Sequence, residues 1–234
     1  MENRLILGID NSMDLLTLVV SIGDSLIEER HISNKRPPSQ ILASEVSQML
    51  VTNGYKLPDV KHIFVTLGPG SFTGIRVGLS FAKGLHAGTK IPITGIPTLD
   101  VLVHPFSFIE RHYICPVIDA KKHEVFTSLY YVSHGKVERI KAFFAIKPYN
   151  LPNFIKTPCI LLGNGIDFCR EVVSSLDGVT LIDNDFSRIS GEALIKEGLR
   201  LIKENSMAGT DPIYCRRSDA EIKFNISITK DATS

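Results

Sequence analysis

The residues whose spacing carries most chemistry are Gly68-Pro69-Gly70-Ser71-Phe72-Thr73-Gly74-Ile75-Arg76. An apolar run, His62-Ile63-Phe64-Val65-Thr66-Leu67, precedes them and reads as a buried strand; a helical pattern over 74–88 follows. A strand feeding a glycine-rich turn and then a helix aims backbone N–H groups and the positive helix end at one point, which can hold an anion. The same arrangement serves equally as a tight structural connection or a partner contact. The familiar nucleotide and nucleophile signatures do not fit. No Lys-Ser/Thr pair follows the second glycine as in a Walker A loop, Thr73 stands where G-x-G-x-x-G needs its last glycine, and G-x-S-x-G fails around Ser71. Two aspartates, Asp10 and Asp119, stand at matching points elsewhere, each closing an apolar strand just before the next.

The helix after the loop needs explaining. Between Gly74 and Gly88 its only charges are Arg76 and Lys83, with His86 if protonated, and small residues recur four apart: Gly74, Gly78 and Ala82 on one ridge, Ser80, Gly84 and Gly88 on another. A helix apolar nearly all round has to be covered nearly all round. Glycine inside a helix costs roughly 0.5–1 kcal/mol relative to alanine, so repeated glycine implies close approach by a neighbour. One sheet covers one side, which points to a second subunit on the other. The expected contact surface is Gly74, Ile75, Gly78, Leu79 and Ala82 of this helix, with Leu42, Val46 and Met49 of a preceding helix over 39–53.

Composition narrows the function classes. The chain has 234 residues, 44% hydrophobic and 22% charged, with a net charge of +1. That is ordinary for a globular protein and gives no basic run with which this chain alone would grip nucleic acid. Met1-Glu2-Asn3-Arg4 leads into a strand-like run, not a signal sequence, and no apolar stretch is long enough for a bilayer. Cys115, Cys159, Cys169 and Cys215 are isolated, so free thiols in a reducing, cytoplasmic setting are expected. The histidines at 31, 62, 86, 104, 112, 123 and 134 include no pair three or four apart, which argues against a metal site; surface or loop positions are expected for them. No catalytic residue, metal or cofactor is expected, Asp10 and Asp119 being the weak candidates for binding one.

The predicted elements run through one order twice. Strands over 4–10, 15–22 and 25–31, a helix over 39–53, the strand ending at Leu67, the helix over 74–88, a strand over 92–96 and a helix over 98–103 form the first pass. The second has strands over 113–119, 124–132 and 136–145, a short helix over 148–155, a strand over 159–162, a helix over 166–176, a strand over 179–182 and a long helix over 190–205. A duplicated βββαβαβα order implies two similar α/β lobes. The expected division is an N-terminal lobe of residues 1–102, a C-terminal lobe of 103–224 and a flexible tail of 225–234.

That order resembles the actin-like, sugar-kinase and heat-shock ATPase superfamily, whose active members hold phosphates and Mg²⁺ on two Asp-bearing turns. Here the turns read Asp10-Asn11-Ser12-Met13-Asp14 and Asp119-Ala120-Lys121-Lys122, without the glycine-rich pattern of a phosphate cradle, and Leu162-Gly163-Asn164-Gly165 is a fragment of the adenosine signature. Within the superfamily, residues 68–79 and 82–85, Ile96-Pro97-Thr98-Leu99, Asp119-Ala120-Lys121-Lys122-His123-Glu124-Val125-Phe126, Pro212-Ile213-Tyr214-Cys215-Arg216 and Asp219-Ala220-Glu221 closely resemble the bacterial TsaB (YeaZ-like) family. The segment 34–39 departs from that family's His-Ser-rich pattern. The resemblance implies an activating or scaffold subunit for making threonylcarbamoyladenosine in tRNA. Such a subunit pairs with the catalytic paralogue TsaD, is joined by the ATPase TsaE, forms a homodimer when alone, and meets tRNA only through the complex. The alternative is an active small-molecule kinase or ATPase of the same superfamily using Asp10 and Asp119.

Overall fold

The computed structural model describes residues 3–33, 36–183, 188–207 and 209–216. Asn34 and Lys35 of the atypical segment, Asp219-Ala220-Glu221 and the tail 225–234 lie outside the described residues. The chain divides into two compact units, Met1–Pro105 with Arg188–Pro212, and Phe106–Ser187 with Ile213–Ser234.

The first unit opens with three antiparallel strands, β1 (Leu5–Asp10), β2 (Leu15–Ile22) and β3 (Ser25–Ser33), then helix α1 (Pro38–Thr52). Strand β4 (Val60–Thr66), helix α2 (Phe72–Thr89), strand β5 (Ile93–Ile96) and helix α3 (Thr98–Val103) complete the first pass. The sheet order is β3-β2-β1-β4-β5, with β4 parallel to both β1 and β5. Every residue of β1 is buried, as a central strand covered on both faces should be. His62, expected at a surface, is instead buried within β4. Desolvation, with Arg4 nearby, pushes its pKa down to about 4, so it is a neutral ring bonded to Thr94 at 2.8 Å.

The second unit repeats the order. It comprises β6 (Tyr113–Asp119), β7 (Val125–Thr127), β8 (Tyr130–Ser133), β9 (Lys136–Arg139), β10 (Phe144–Ile146), a 3-10 turn (Pro148–Asn153), β11 (Cys159–Leu162), α4 (Ile166–Val173) and β12 (Val179–Ile182). Its main path, β10-β7-β6-β11-β12, matches that of the first sheet, with β8 pairing β6 and β9. Two strands expected to be continuous, over 124–132 and 136–145, are each broken. Pro116 lies in β6 between the stretches that pair with β8 and β7 and has no N–H for the ladder; its carbonyl accepts Thr127 Oγ1 at 2.8 Å instead. The helix expected over 148–155 is a 3-10 turn, since Pro152 inside it cannot donate. Cys115, Cys159 and Cys169 are buried together in this unit's core, with Leu151, Ile166 and Val173.

Helix α5 (Gly191–Lys203) closes the second pass in sequence but packs on the first sheet. The lobe expected over 103–224 is therefore not continuous: Arg188–Pro212 returns to the first unit. Glycines explain the fit. A Cβ at Gly198 would lie 2.6 Å from the Phe64 ring and one at Gly191 2.8 Å from Val19. The Gly191 N–H donates to Glu29 Oε1 at 2.7 Å, and Glu197 accepts from His104 at 2.9 Å and from Arg200 at 2.6 Å. Side chains alternate along a strand, so Gly8 and Phe64 meet α5 while their neighbours Ile9 and Val65 meet α2. The sheet is thus sandwiched. Gly198→Ala is expected to destabilise the protein by about 1–3 kcal/mol through overpacking against Phe64. Gly84→Ala, where none of the described residues lies within 4 Å of the added carbon, is expected to raise stability by about 0.5–1 kcal/mol. Thermal melts of the two variants check both signs.

Candidate functional site

The Asp10 turn and the glycine-rich loop meet, and each explains the other. Register places Ile9 beside Val65, so Asp10 at the end of β1 neighbours Thr66 at the end of β4. Thr66 Oγ1 donates to Asp10 Oδ1 at 2.7 Å, Ser12 Oγ at 2.5 Å and the Ser12 N–H at 3.0 Å. The second oxygen, Oδ2, is buried with no hydrogen-bond partner among the described residues. Full burial raises the Asp10 pKa, with the hydrogen bonds from Ser12 and Thr66 opposing it. A protonated or reluctantly charged carboxyl sealed in this way is not arranged as an open ligand for a cation.

The loop is pressed onto the carbonyls of the same turn. The Ser71 N–H donates to Ser12 O at 2.7 Å, and Asn11 Nδ2 donates to Gly74 O at 3.0 Å. A Cβ at Gly70 would stand closer than 3.0 Å to Ser12 O, and one at Gly74 closer than 3.0 Å to Asn11 O. Both glycines are required by this approach. The Ser71 hydroxyl caps α2, accepting from the Gly74 N–H at 3.2 Å, while the Arg76 guanidinium sits 3.8 Å over the Phe72 ring. Groups that could have formed an anion nest at Ser71 and Gly74 are thus bonded within the chain. Of the readings open to the sequence, these contacts fit the structural one: a lock between the β1–β2 turn and the β4–α2 connection.

The second aspartate is occupied differently. Asp119 Oδ1 accepts from the Lys121 N–H at 2.7 Å, and Oδ2 pairs with Lys121 Nζ at 2.6 Å. Lys121, Lys122 and His123 all take left-handed backbone (φ 60°, 54° and 58°), which ties the turn into a tight knot. The adenosine-signature fragment is used structurally too: Asn164 Oδ1 accepts from the Asp119 N–H at 3.1 Å, and Gly163, at φ 114°, lies against the Val117 carbonyl. Reasoning from sequence missed Thr66, Asn11, Ser12 and Lys121 as the groups that fill the two carboxyl turns. A hydroxyl residue ending the strand parallel to β1, and a lysine two positions beyond Asp119, were the available signals.

The expected interface residues need correction. Leu42, Val46 and Met49 of α1 and Gly74, Ile75, Gly78, Leu79 and Ala82 of α2 are all buried within the first unit. A Cβ at Gly78 would already rest 3.8 Å from Asn11, Ile9 and Val65. These side chains serve the core. The face of α2 turned to solvent carries Arg76, Ser80, Lys83, Gly84 and Gly88.

Two sheets of one strand order, each ending its first strand at an aspartate-bearing turn, define an actin-like α/β protein whose aspartates are bonded by its own groups. Comparisons with known proteins narrow the class. The model of the TsaD family, tRNA N6-adenosine threonylcarbamoyltransferase, matches residues 27–172. The tRNA threonylcarbamoyladenosine biosynthesis protein TsaB of Bacillus subtilis is 32% identical over 229 residues, 94% of this chain and 97% of that one. TsaB of Haemophilus influenzae is 28% identical over 131 residues, 55% of this chain and 54% of that one. A crystal structure of a Pseudomonas aeruginosa protein described as similar to the peptidase YeaZ superposes with a TM-score of 0.75 at 19% identity, over 91% of this chain and 100% of that one. The chain belongs to the TsaB (YeaZ-like) family.

Asp10 gives a pH signature. Its folded pKa is raised, so its contribution to stability is fully present below the unfolded value, 3.8, and is lost as pH rises through the folded pKa. Asp10→Asn lacks that loss. Its stability relative to the wild type is expected to climb as pH rises from about 4 and then level off, measured by urea unfolding across pH 4–9.

Proposed function

We propose that this chain is a non-catalytic, activating subunit in the synthesis of threonylcarbamoyladenosine in tRNA, working in the cytoplasm beside a catalytic TsaD-like paralogue. The names of its relatives supply the pathway. The internally bonded carboxyl turns support a subunit without turnover of its own over a small-molecule kinase or ATPase. A TsaE-like ATPase joins the pair, tRNA is met through the assembly, and in the absence of the paralogue the same surface joins two copies of this chain.

The observation that carries the pairing is the outward ridge of α2. Gly84 and Gly88 are exposed, and a Cβ at either would meet nothing within 4 Å among the described residues. Gly84 lies mid-helix, where glycine costs stability, and no contact among the described residues requires glycine there. Close approach by another backbone is the remaining physical reason. Val77, Phe81 and Leu85 lie half-buried alongside, and Val51 at the end of α1 is 67% exposed. On α2, these half-buried side chains and the two glycines form a mixed apolar face suited to a helix partner.

Gly84→Leu is expected to abolish association with the TsaD-like protein of the same organism, and self-association, without lowering the melting temperature. Gly78→Leu, aimed at the sheet, is expected to destabilise the fold by about 1–3 kcal/mol. Sizing chromatography of the mixed proteins, paired with melting of each variant, separates these effects. Full association by a folded Gly84→Leu protein would remove the ridge from the interface.

A further inference from the structure

The β2–β3 hairpin is tied to the segment that brings the chain back to the first sheet by a line of polar contacts. Glu29 Oε1 lies 2.9 Å from His31 Nε2, His31 Nδ1 lies 3.0 Å from Thr17 Oγ1, and Thr17 Oγ1 lies 3.3 Å from Ile189 O as its donor. The same Glu29 oxygen accepts the Gly191 N–H at 2.7 Å, so both ends of the line rest on residues 189–191, where α5 begins. Register accounts for the alignment: Thr17 stands opposite His31 across β2 and β3, and Glu29, two residues before His31, shares its face. Thr17 and Ile189 are fully buried, while the His31 side chain keeps 22% of its surface in water.

These three contacts require three hydrogens, and the charge of the ring sets how many there are. A carboxylate only accepts, so the contact with Glu29 places a hydrogen on Nε2. A neutral ring then has a bare Nδ1, and the Thr17 hydroxyl has a single hydrogen for two acceptors, Nδ1 and Ile189 O. An imidazolium carries a hydrogen on both nitrogens. Its Nδ1–H donates to Thr17 Oγ1, and the hydroxyl hydrogen is left for Ile189 O. The charged groups facing the ring are Glu29 from β3 and Arg188 from the returning segment. Burial, with the Arg188 charge adding to it, holds the His31 pKa below its ordinary 6.5 against the pull of Glu29, so the ring is neutral at neutral pH and charges in mild acid.

We propose that His31 is a pH-operated switch at the joint of α5: a proton taken from solvent onto Nδ1 turns the Thr17 hydroxyl from the ring to the Ile189 carbonyl and gives the returning segment a hydrogen bond that the neutral state contests. The Ile189 residue is buried, so a donor for its carbonyl matters more than it would in water. The fold as a whole is still favoured by the neutral ring: with the folded pKa lowered, stability is fully present above 6.5 and falls as pH drops through the folded value. The switch lies on the α5 face of the sheet, so it stands or falls independently of pairing through α2.

The isotope-labelled full-length chain is titrated by NMR between about pH 4 and 9, following the ring nitrogens of His31 and the carbonyl carbon of Ile189. Above the His31 midpoint the ring hydrogen is expected on Nε2. As pH falls, the Ile189 carbonyl is expected to shift downfield with the same midpoint, because its oxygen gains the hydroxyl hydrogen. In Thr17→Val, His31 is expected to titrate while Ile189 no longer follows, and in His31→Gln the inflection at Ile189 is expected to vanish. His31 is partly exposed, so its variant keeps the test valid should Thr17→Val fail to fold. A ring that stays neutral throughout, a neutral ring protonated on Nδ1, an Ile189 carbonyl that ignores the His31 titration, or an inflection that persists in either folded variant overturns the proposal.

Discussion

The approach of two backbone segments governs the first unit. The carbonyls of Asn11 and Ser12 lie so close to Gly74 and Gly70 that no side-chain carbon fits between them, and the Ser71 N–H closes the contact at 2.7 Å. That contact fixes where β4 ends and where α2 begins. It seals Asp10 beneath it, with Oδ1 saturated and Oδ2 buried. A turn that in this fold class can face phosphate is here engaged by the protein's own chain. At Asp119 a similar end is reached by other means, a lysine from the same turn holding the carboxylate. An exposed lysine–carboxylate pair contributes little energy. Its importance is occupancy of the carboxylate, not stability.

The second organising feature is α5. Its glycines let it lie flat on β2 and β4, and Glu197 joins it to His104 just beyond α3. Burial raises the Glu197 pKa most, yet the hydrogen bonds from Arg200 and His104 bring it below the usual carboxylate range. The first sheet therefore has one face set by α2 and its lock and the other by a helix borrowed from the end of the chain. With α2 pinned from behind, its outer ridge is held on a packed support, which would favour the pairing proposed for it.

Element types were legible in the sequence because apolar periodicity separates buried strands from amphipathic helices, and the duplicated order followed from them. The destination of α5 was not legible. Its pattern, Leu194, Ile195 and Leu201 with Gly198 between them, states that a face is buried but not against which sheet. The breaks at Ser128 and Leu129 depend on Pro116 in a neighbouring strand, a cross-strand effect no local window contains. The glycine-rich loop could be recognised as a close approach, but whether backbone or ligand approaches is decided by the long-range meeting of residues 10–12 with 68–74. The interface residues were misassigned for a related reason. Two small-residue ridges on α2 look alike in sequence, and packing alone separates Gly78, which faces Ile9 and Val65, from Gly84, which faces none of the described residues within 4 Å.

The lock is tested most directly by amide hydrogen exchange at Ser71. If its N–H is held by Ser12 O as part of the permanent structure, it exchanges as slowly as the amides of Ile9 and Val65 in the flanking core strands, and adding ATP with Mg²⁺ leaves it unchanged. Exchange at the rate of an open loop, or protection that arises only when ATP and Mg²⁺ are added, would contradict a closed turn and restore a phosphate site at Asp10.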